Sequence, residues 1–267
     1  MDNIKIVYYV FLNPNANWKA IVSGQLTQLK SYGILTTATL YIHITDCHNL
    51  LDEAKKLIDD IAPLAIISYN FENLDEYPGI DLIYNLAIKH PNDIFIYFHT
   101  KGMSHNINGR SPGEKTLFTE TFMNWRENIK YLNKNGVHKV GLFPAVWQER
   151  FGKTGEDGGW IWYNFWYATG HYLTRCPKPL PKMNRYYYEG WLAKQFNDDC
   201  FIANDCKSLF KISLVNKQYF TPSEADFYLN LKIRKVNTPV LGRLQKIKSR
   251  FLIHLYFQMK ILLGRNG

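Results

Sequence analysis

The residues best suited to chemistry stand at the end of one apolar run, Asp93 to Ser104, DIFIYFHTKGMS. Ile94 to Phe98 form a short apolar and aromatic stretch of the kind a buried strand needs. It stops in His99, Thr100, Lys101 and Gly102. A strand ending in polar, cationic and glycine residues is the usual form of a site at the carboxyl edge of an α/β sheet. Lys101 can pair with a phosphate, His99 can donate to it, and Gly102 lets the backbone approach a ligand closely. The same four residues also fit a plain strand-to-loop junction with a solvated lysine.

Two further stretches carry candidate chemistry. Trp160 to Tyr167 (WIWYNFWY) has Asn164 as its strongly polar member. Aromatic platforms with one amide hold sugar rings; a buried core strand is the competing reading. Glu189 lies between Tyr188 and Gly190-Trp191, in a segment, Arg185 to Phe196, that reads as a helix. A carboxylate among apolar rings has its pKa raised, which suits a general base. A glutamate in the first turn of a helix also simply complements the helix dipole.

The elements that must position these residues follow a regular order. Ile4 to Leu12 reads as a strand closed by Asn13-Pro14, and Trp18 to Tyr32 as a helix ended by Gly33. Thr39 to Ile44 is a second strand, ending in Thr45-Asp46. Leu50 to Ile61 is an amphipathic helix, and Leu64 to Tyr69 a third strand. The polar loop Asn70 to Tyr77, a helix over Ile80 to Lys89 and the strand Ile94 to Phe98 complete this half. Such alternation predicts a mostly parallel sheet with right-handed crossovers. Beyond it, Thr116 to Asn133 reads as a helix, Lys139 to Phe143 as a strand, Phe210 to Val215 as a strand and Pro222 to Lys232 as a helix. Neither GxGxxG after the first strand nor GxxxxGK[ST] occurs, which disfavours the common dinucleotide and P-loop readings.

The chain has 267 residues, 46% hydrophobic and 15% aromatic, enough for one large α/β domain or for a domain plus an appendage. Cys47, Cys176, Cys200 and Cys206 lack metal spacing and read as free thiols of a reducing compartment. The opening MDNIKIVYYVFLNP has no leader features, and no stretch is apolar enough to read as a spanning helix. The net charge of +9 is unevenly placed. From Lys232 to Gly267 nine basic residues face no acidic one, while the remainder balances at 23 of each sign. In that tail Leu244, Ile247, Phe251 and Leu255 mark an apolar face, with Arg243, Lys246, Lys248, Arg250 and Lys260 on much of the rest. Such a helix reads either as interfacial on anionic lipid or as packed on the core or a partner. Without a nucleic-acid fold signature beside it, a nucleic-acid partner is not expected.

The ordered set of HTKG at a strand end, Trp125-Arg126, a short strand, Asn164 to Ala168 (NFWYA), Leu180-Pro181 and Glu189 to Trp191 resembles polysaccharide-assembly glycosyltransferases of the rhamnan-synthesis-related type. The resemblance covers roughly Ile4 to Phe196. It implies a GT-A-like (Rossmann-like) α/β fold, with a nucleotide-binding half over 1–105, an acceptor half over 106–235 and a basic amphipathic tail over 236–267. It further implies transfer from a nucleotide-sugar donor to a glycan or lipid-linked glycan acceptor. Asn13, Asp46, Thr100 and Gly102 would contact the donor, and Lys101 with His99 would neutralise the diphosphate leaving group. Asn164, Trp166 and Trp191 would hold the acceptor, with Glu189 as the base of an inverting transfer. The location implied is cytoplasmic, peripheral at the inner face of a membrane.

The sequence departs from that group in two places. The segment before Asn164 reads Trp160-Ile161-Trp162-Tyr163 instead of carrying His and a Ser-Gly pair. No Asp-x-Asp metal motif is present, and Glu224-Ala225-Asp226, which has the spacing, follows no clear strand. No metal ligand is therefore assigned and no cofactor is required, with Mn²⁺ or Mg²⁺ on other carboxylates as the alternative. These departures also keep open a non-catalytic glycan- or nucleotide-binding protein, or a membrane-surface adaptor, on the same fold.

Overall fold

The computed structural model describes residues 3–100, 108–132, 134–145, 159–181, 186–193, 205–212 and 216–237. The basic tail beyond residue 237 lies outside the described residues, as do Lys101 and Gly102. Met1–Leu229 form one compact unit and Asn230–Gly267 a second. The described part of the second, residues 230–237, is helical.

The first unit is built on a seven-stranded sheet, flanked by helices. The strands are β1 (Ile4–Leu12), β2 (Ala38–Asp46), β3 (Ile66–Asn70), β4 (Ile94–His99), β5 (Lys139–Gly141), β6 (Trp166–Thr169) and β7 (Cys206–Ser208), in the spatial order β3-β2-β1-β4-β6-β5-β7. Every pairing is parallel except those of β6, which runs antiparallel to both β4 and β5. This is the mostly parallel α/β sheet that the alternation predicts, with the Rossmann-like order β3-β2-β1-β4 in its parallel half.

β1 and β4 lie at the centre, covered on both faces, which is why they read as continuous apolar runs. Successive strand residues face opposite ways, and the central tyrosines show both layers. Tyr8 donates to Gln25 of α1 (Trp18–Ser31) at 2.5 Å. Tyr9 lies against Gly79 of α3 (Tyr77–Lys89) on the other face. Asn17 caps α1 through a bond from the Ala20 N–H at 3.1 Å, and Gly33, at φ +69°, supplies the left-handed residue that ends it. α2 (Leu51–Ile61) buries Leu51, Ala54 and Ile58 at helical spacing. Lys5 at the start of β1 pairs with Asp93 before β4 at 2.9 Å.

The second half departs from the sequence reading. The helix expected over Thr116 to Asn133 is two, α4 (Pro112–Phe122) and α5 (Trp125–Ile129), separated at Asn124, whose backbone is non-helical. α4 starts early because Ser111 caps it, accepting from Glu114 N at 3.1 Å, and Pro112 suits its first turn. The aromatic run is no continuous strand. Ile161 makes an isolated antiparallel bridge to Pro144, Trp162–Asn164 form a 3₁₀ turn, and the strand proper begins at Trp166. Of the helix expected over Arg185 to Phe196, the described residues form α7 (Tyr186–Glu189) and, after Gly190 interrupts it, a 3₁₀ turn at Trp191–Ala193; residues 185 and 194–196 lie outside the described residues. Ahead of the strand expected at Phe210 to Val215, Cys206–Ser208 form β7, in register with β5; residues 213–215 lie outside the described residues. α6 (Gly170–Leu173) and α8 (Pro222–Asn237) complete the order.

Candidate functional site

Because β1 to β4 are mutually parallel, their last residues share one edge: Leu12, Asp46, Asn70 and His99. The crevice outside such an edge is where open α/β sheets bind ligands. His99 pairs in register with Tyr9, and β4 effectively continues one residue further. Thr100 N donates to the Tyr9 carbonyl, and the Thr100 hydroxyl accepts from Phe11 N, both at 3.1 Å. Thr100 is buried. Its side chain stitches β4 to β1.

A second segment folds over this strand end. The His99 ring donates through Nε2 to the Tyr163 carbonyl at 3.1 Å, and its edge meets the Phe165 ring. Tyr163 and Asn164 both have left-handed backbones, at φ +71° and +54°. Two such non-glycine residues in succession are strained, and persist only where the surroundings over-determine them. The surroundings here are dense. Asn164 Nδ2 donates to Glu76 Oε2 at 2.8 Å and to the Tyr188 carbonyl at 3.3 Å, and Asn164 Oδ1 accepts from Trp166 Nε1 at 3.1 Å. The Tyr163 phenol donates to Asp226. Burial, that bond and the charges of Asp226 and Glu189 all push the phenol well above its ordinary range.

Glu189 is half-buried at the last residue of α7, near enough for its charge to act on Tyr163. In a helix this short, the dipole argument for a first-turn glutamate has little force. The expected base thus shares its surroundings with the turn that sits on His99.

Other expected contacts change role. Asp46 is 1% exposed, and its carboxylate accepts from the backbone N–H groups of His48, Leu50 and Leu51 at 2.7 to 2.9 Å. It shapes the turn into α2 and does not offer its oxygens to a nucleotide. Asn13 is half-buried, with Oδ1 accepting from Asn15 N at 2.9 Å, which sets the turn after β1. The three acceptor-binding candidates are interior: Asn164 is 1% exposed, and Trp166 and Trp191 are fully buried. Trp166 stacks on Tyr97, and Trp191 donates to the Pro177 carbonyl at 2.9 Å. None of the three has a ring face or amide open to a sugar. Buried indoles and amides with satisfied hydrogen bonds are core components, so the core reading of the aromatic run is the correct one. The phosphate-facing role of His99 is likewise narrowed, since its nitrogens turn toward Tyr163 and Glu76.

Sequence reasoning missed Glu76, which sits in the polar loop before α3. It also missed the network Tyr9–Thr45–Asn70–His43 along the ends of β1, β2 and β3. Tyr9 donates to Thr45 at 3.1 Å, Thr45 to Asn70 at 2.7 Å, and the His43 ring contacts Ser68 at 2.8 Å and Asn70 at 3.1 Å. Burial holds His43 below its ordinary pKa. Alternation along β2 places Tyr41, His43 and Thr45 on one face, a signal that spacing alone supplied. Among the described residues no group of three or more His, Cys, Asp or Glu side chains is arranged to hold a metal ion. No described helix is long and apolar enough to cross a membrane.

No family model matches the chain, and no curated protein matches it. Among solved structures, it is similar to the crystal structure of a 4-diphosphocytidyl-2C-methyl-D-erythritol synthase. That likeness spans 86% of this chain and 100% of the other, at 8% identity and a TM-score of 0.40. A likeness of that size carries no argument about activity.

Proposed function

We propose that this chain is a nucleotide-sugar-dependent glycosyltransferase acting on a glycan or lipid-linked glycan acceptor. The observation that supports it most is the bond from His99 to the Tyr163 carbonyl. Two motifs of the ordered set, HTKG and the segment opening at Asn164, meet at the carboxyl edge of the central strands.

In this reading the donor diphosphate lies beside Lys101, with Gly102 giving it room. Lys101 neutralises charge as the bond between the anomeric carbon and the phosphate oxygen breaks. Glu189 takes the proton of the acceptor hydroxyl, whose oxygen attacks the anomeric carbon from the opposite face, with inversion. Asp46, Asn13 and Thr100 act one step back, by shaping the turns that line the donor side. A divalent cation, Mn²⁺ or Mg²⁺, sharing the diphosphate is the variant of the same mechanism. The basic segment after residue 235 would hold the enzyme on an anionic membrane surface at the cytoplasmic side, beside a lipid-linked acceptor.

The second reading, a binding protein without turnover, draws support from the burial of Asn164, Trp166 and Trp191. Glu189→Gln separates the two. If Glu189 is the base, transfer falls by about 10²- to 10⁴-fold while donor affinity stays within about twofold. Unchanged turnover removes Glu189 as base, and absence of turnover in the parent protein with tight donor binding favours the binding protein.

A further inference from the structure

Glu76 occupies the N-cap position of α3, where Ser, Thr, Asp or Asn is preferred, and its side chain makes no capping bond. The carboxylate instead reaches across the end of β4. Its Oε2 accepts from Asn164 Nδ2 at 2.8 Å and from the Tyr97 hydroxyl at 3.3 Å, while Oε1 stands 3.8 Å from His99 Nδ1. The Glu76 side chain is 19% exposed and that of His99 15%, so water screens the contact little. The placement is built into the helix. A Cβ on Gly79 would lie 2.7 Å from Tyr9 Cβ and 2.9 Å from the Tyr97 hydroxyl. Only glycine therefore lets the first turn of α3 press onto β1 and β4 closely enough for Glu76 to reach this point.

We propose that Glu76 is a positioning residue of the candidate site, fixing the His99 ring and the strained Tyr163–Asn164 turn with one carboxylate. This role rests on the glycosyltransferase reading above. The geometry defines how it works. The Nε2–H of His99 donates to the Tyr163 carbonyl, and Glu76 Oε1 stands 3.8 Å from its Nδ1, outside hydrogen-bond distance but beside the ring. Glu76 thus pins Asn164 directly through Oε2 and flanks with Oε1 the ring whose Nε2–H pins Tyr163. The turn that carries Tyr163 to Glu189 and Asp226 is held at the end of β4. Loss of the carboxylate lets the turn relax from its left-handed backbone and move the acceptor side away from the donor side.

The test pairs a spectroscopic readout with kinetics on the full chain and its Glu76→Gln variant. In ¹⁵N-histidine spectra, the His99 ring signals, assigned with His99→Gln, are expected to shift between the parent and Glu76→Gln. Turnover with the nucleotide sugar found to bind should fall roughly 100-fold in kcat, the scale of a small misplacement of reacting groups, with donor KM little changed. His99 signals that are the same in both proteins, or an unchanged kcat, would overturn the proposal. If the spectra change as expected but the parent binds no nucleotide, the glycosyltransferase reading fails and the Glu76–His99 pairing stands. Glu76→Asp, which keeps the charge but is shorter by one methylene, should recover part of kcat; recovery in Glu76→Gln instead would assign Glu76 a purely packing role.

Discussion

The His99 ring and the Tyr163 carbonyl lie 3.1 Å apart across 64 residues of chain. That bond closes the edge of the parallel half of the sheet with a turn from the antiparallel half. Its consequences reach the core, because the turn continues directly into Trp166 and β6.

Trp166 should therefore behave as a core residue and not as an acceptor contact. Trp166→Phe removes the bond to Asn164 and part of the packing on Tyr97. We expect a loss of about 1–3 kcal/mol in urea unfolding. Acceptor KM should be unchanged in the folded fraction. A raised acceptor KM at undiminished stability would return Trp166 to the binding surface.

Gly79 should tolerate no side chain. Alanine there must displace Tyr9 or the Tyr97 hydroxyl, both held in the core. Overpacking of this kind destabilises by about 1–3 kcal/mol. Calorimetry of Gly79→Ala would show it, and an unchanged Tm would mean that α3 sits further from the sheet than described.

A buried ion pair holds the far end of the sheet. Lys139 in β5 stands 2.8 Å from Asp205, with the two side chains 2% and 1% exposed, and donates to the Tyr172 hydroxyl at 2.9 Å. Gly159, at φ +94°, makes room, since a Cβ there would come within 3.0 Å of the ammonium. Lys139→Met leaves the carboxylate uncompensated and should destabilise by about 3–5 kcal/mol. Adding Asp205→Leu should recover most of that loss. A double variant no better than the single one would contradict the pairing.

Stability should decline below neutrality through His43 and His138. Burial is the leading cause that holds each below the ordinary value of 6.5. The unfolded chain then takes up these protons first as pH falls. Their contribution is full above the unfolded value and is lost as pH drops toward the folded one. Urea midpoints measured from about pH 7.5 to about pH 5.5 should fall, and His43→Gln with His138→Gln should flatten the slope. An equal slope in the double variant would place the titration elsewhere.

The parallel half was legible because each of its strands carries its own signal. Ile4 to Leu12 and Ile94 to Phe98 are β-branched and aromatic runs with turn formers behind them, and β1 and β4 follow them closely. The second half was not, because WIWYNFWY has no period that separates a turn from a strand. Its path is set by bonds to distant residues: Trp162 to the Phe220 carbonyl, Asn164 to Glu76 and Tyr163 to Asp226. Of the candidate site, His99 and Glu189 were found by chemistry and local setting. Glu76 was not, since a glutamate in a polar loop looks solvated until the fold brings β4 alongside it. Asp46 shows the opposite error: an acidic residue at a strand end reads as a ligand contact, and three backbone N–H groups claim it.

The central claim, that this edge binds a nucleotide sugar, is tested most directly by calorimetric titration of the intact chain with nucleoside diphosphates and their sugars, with EDTA and with Mn²⁺. The account predicts saturable binding of one nucleotide class, weakened at least about tenfold by Lys101→Ala, the loss of one charge-assisted contact. Binding in EDTA supports charge neutralisation by Lys101 alone, and binding only with Mn²⁺ assigns that role to a shared cation. No binding of any nucleotide under either condition would contradict the claim.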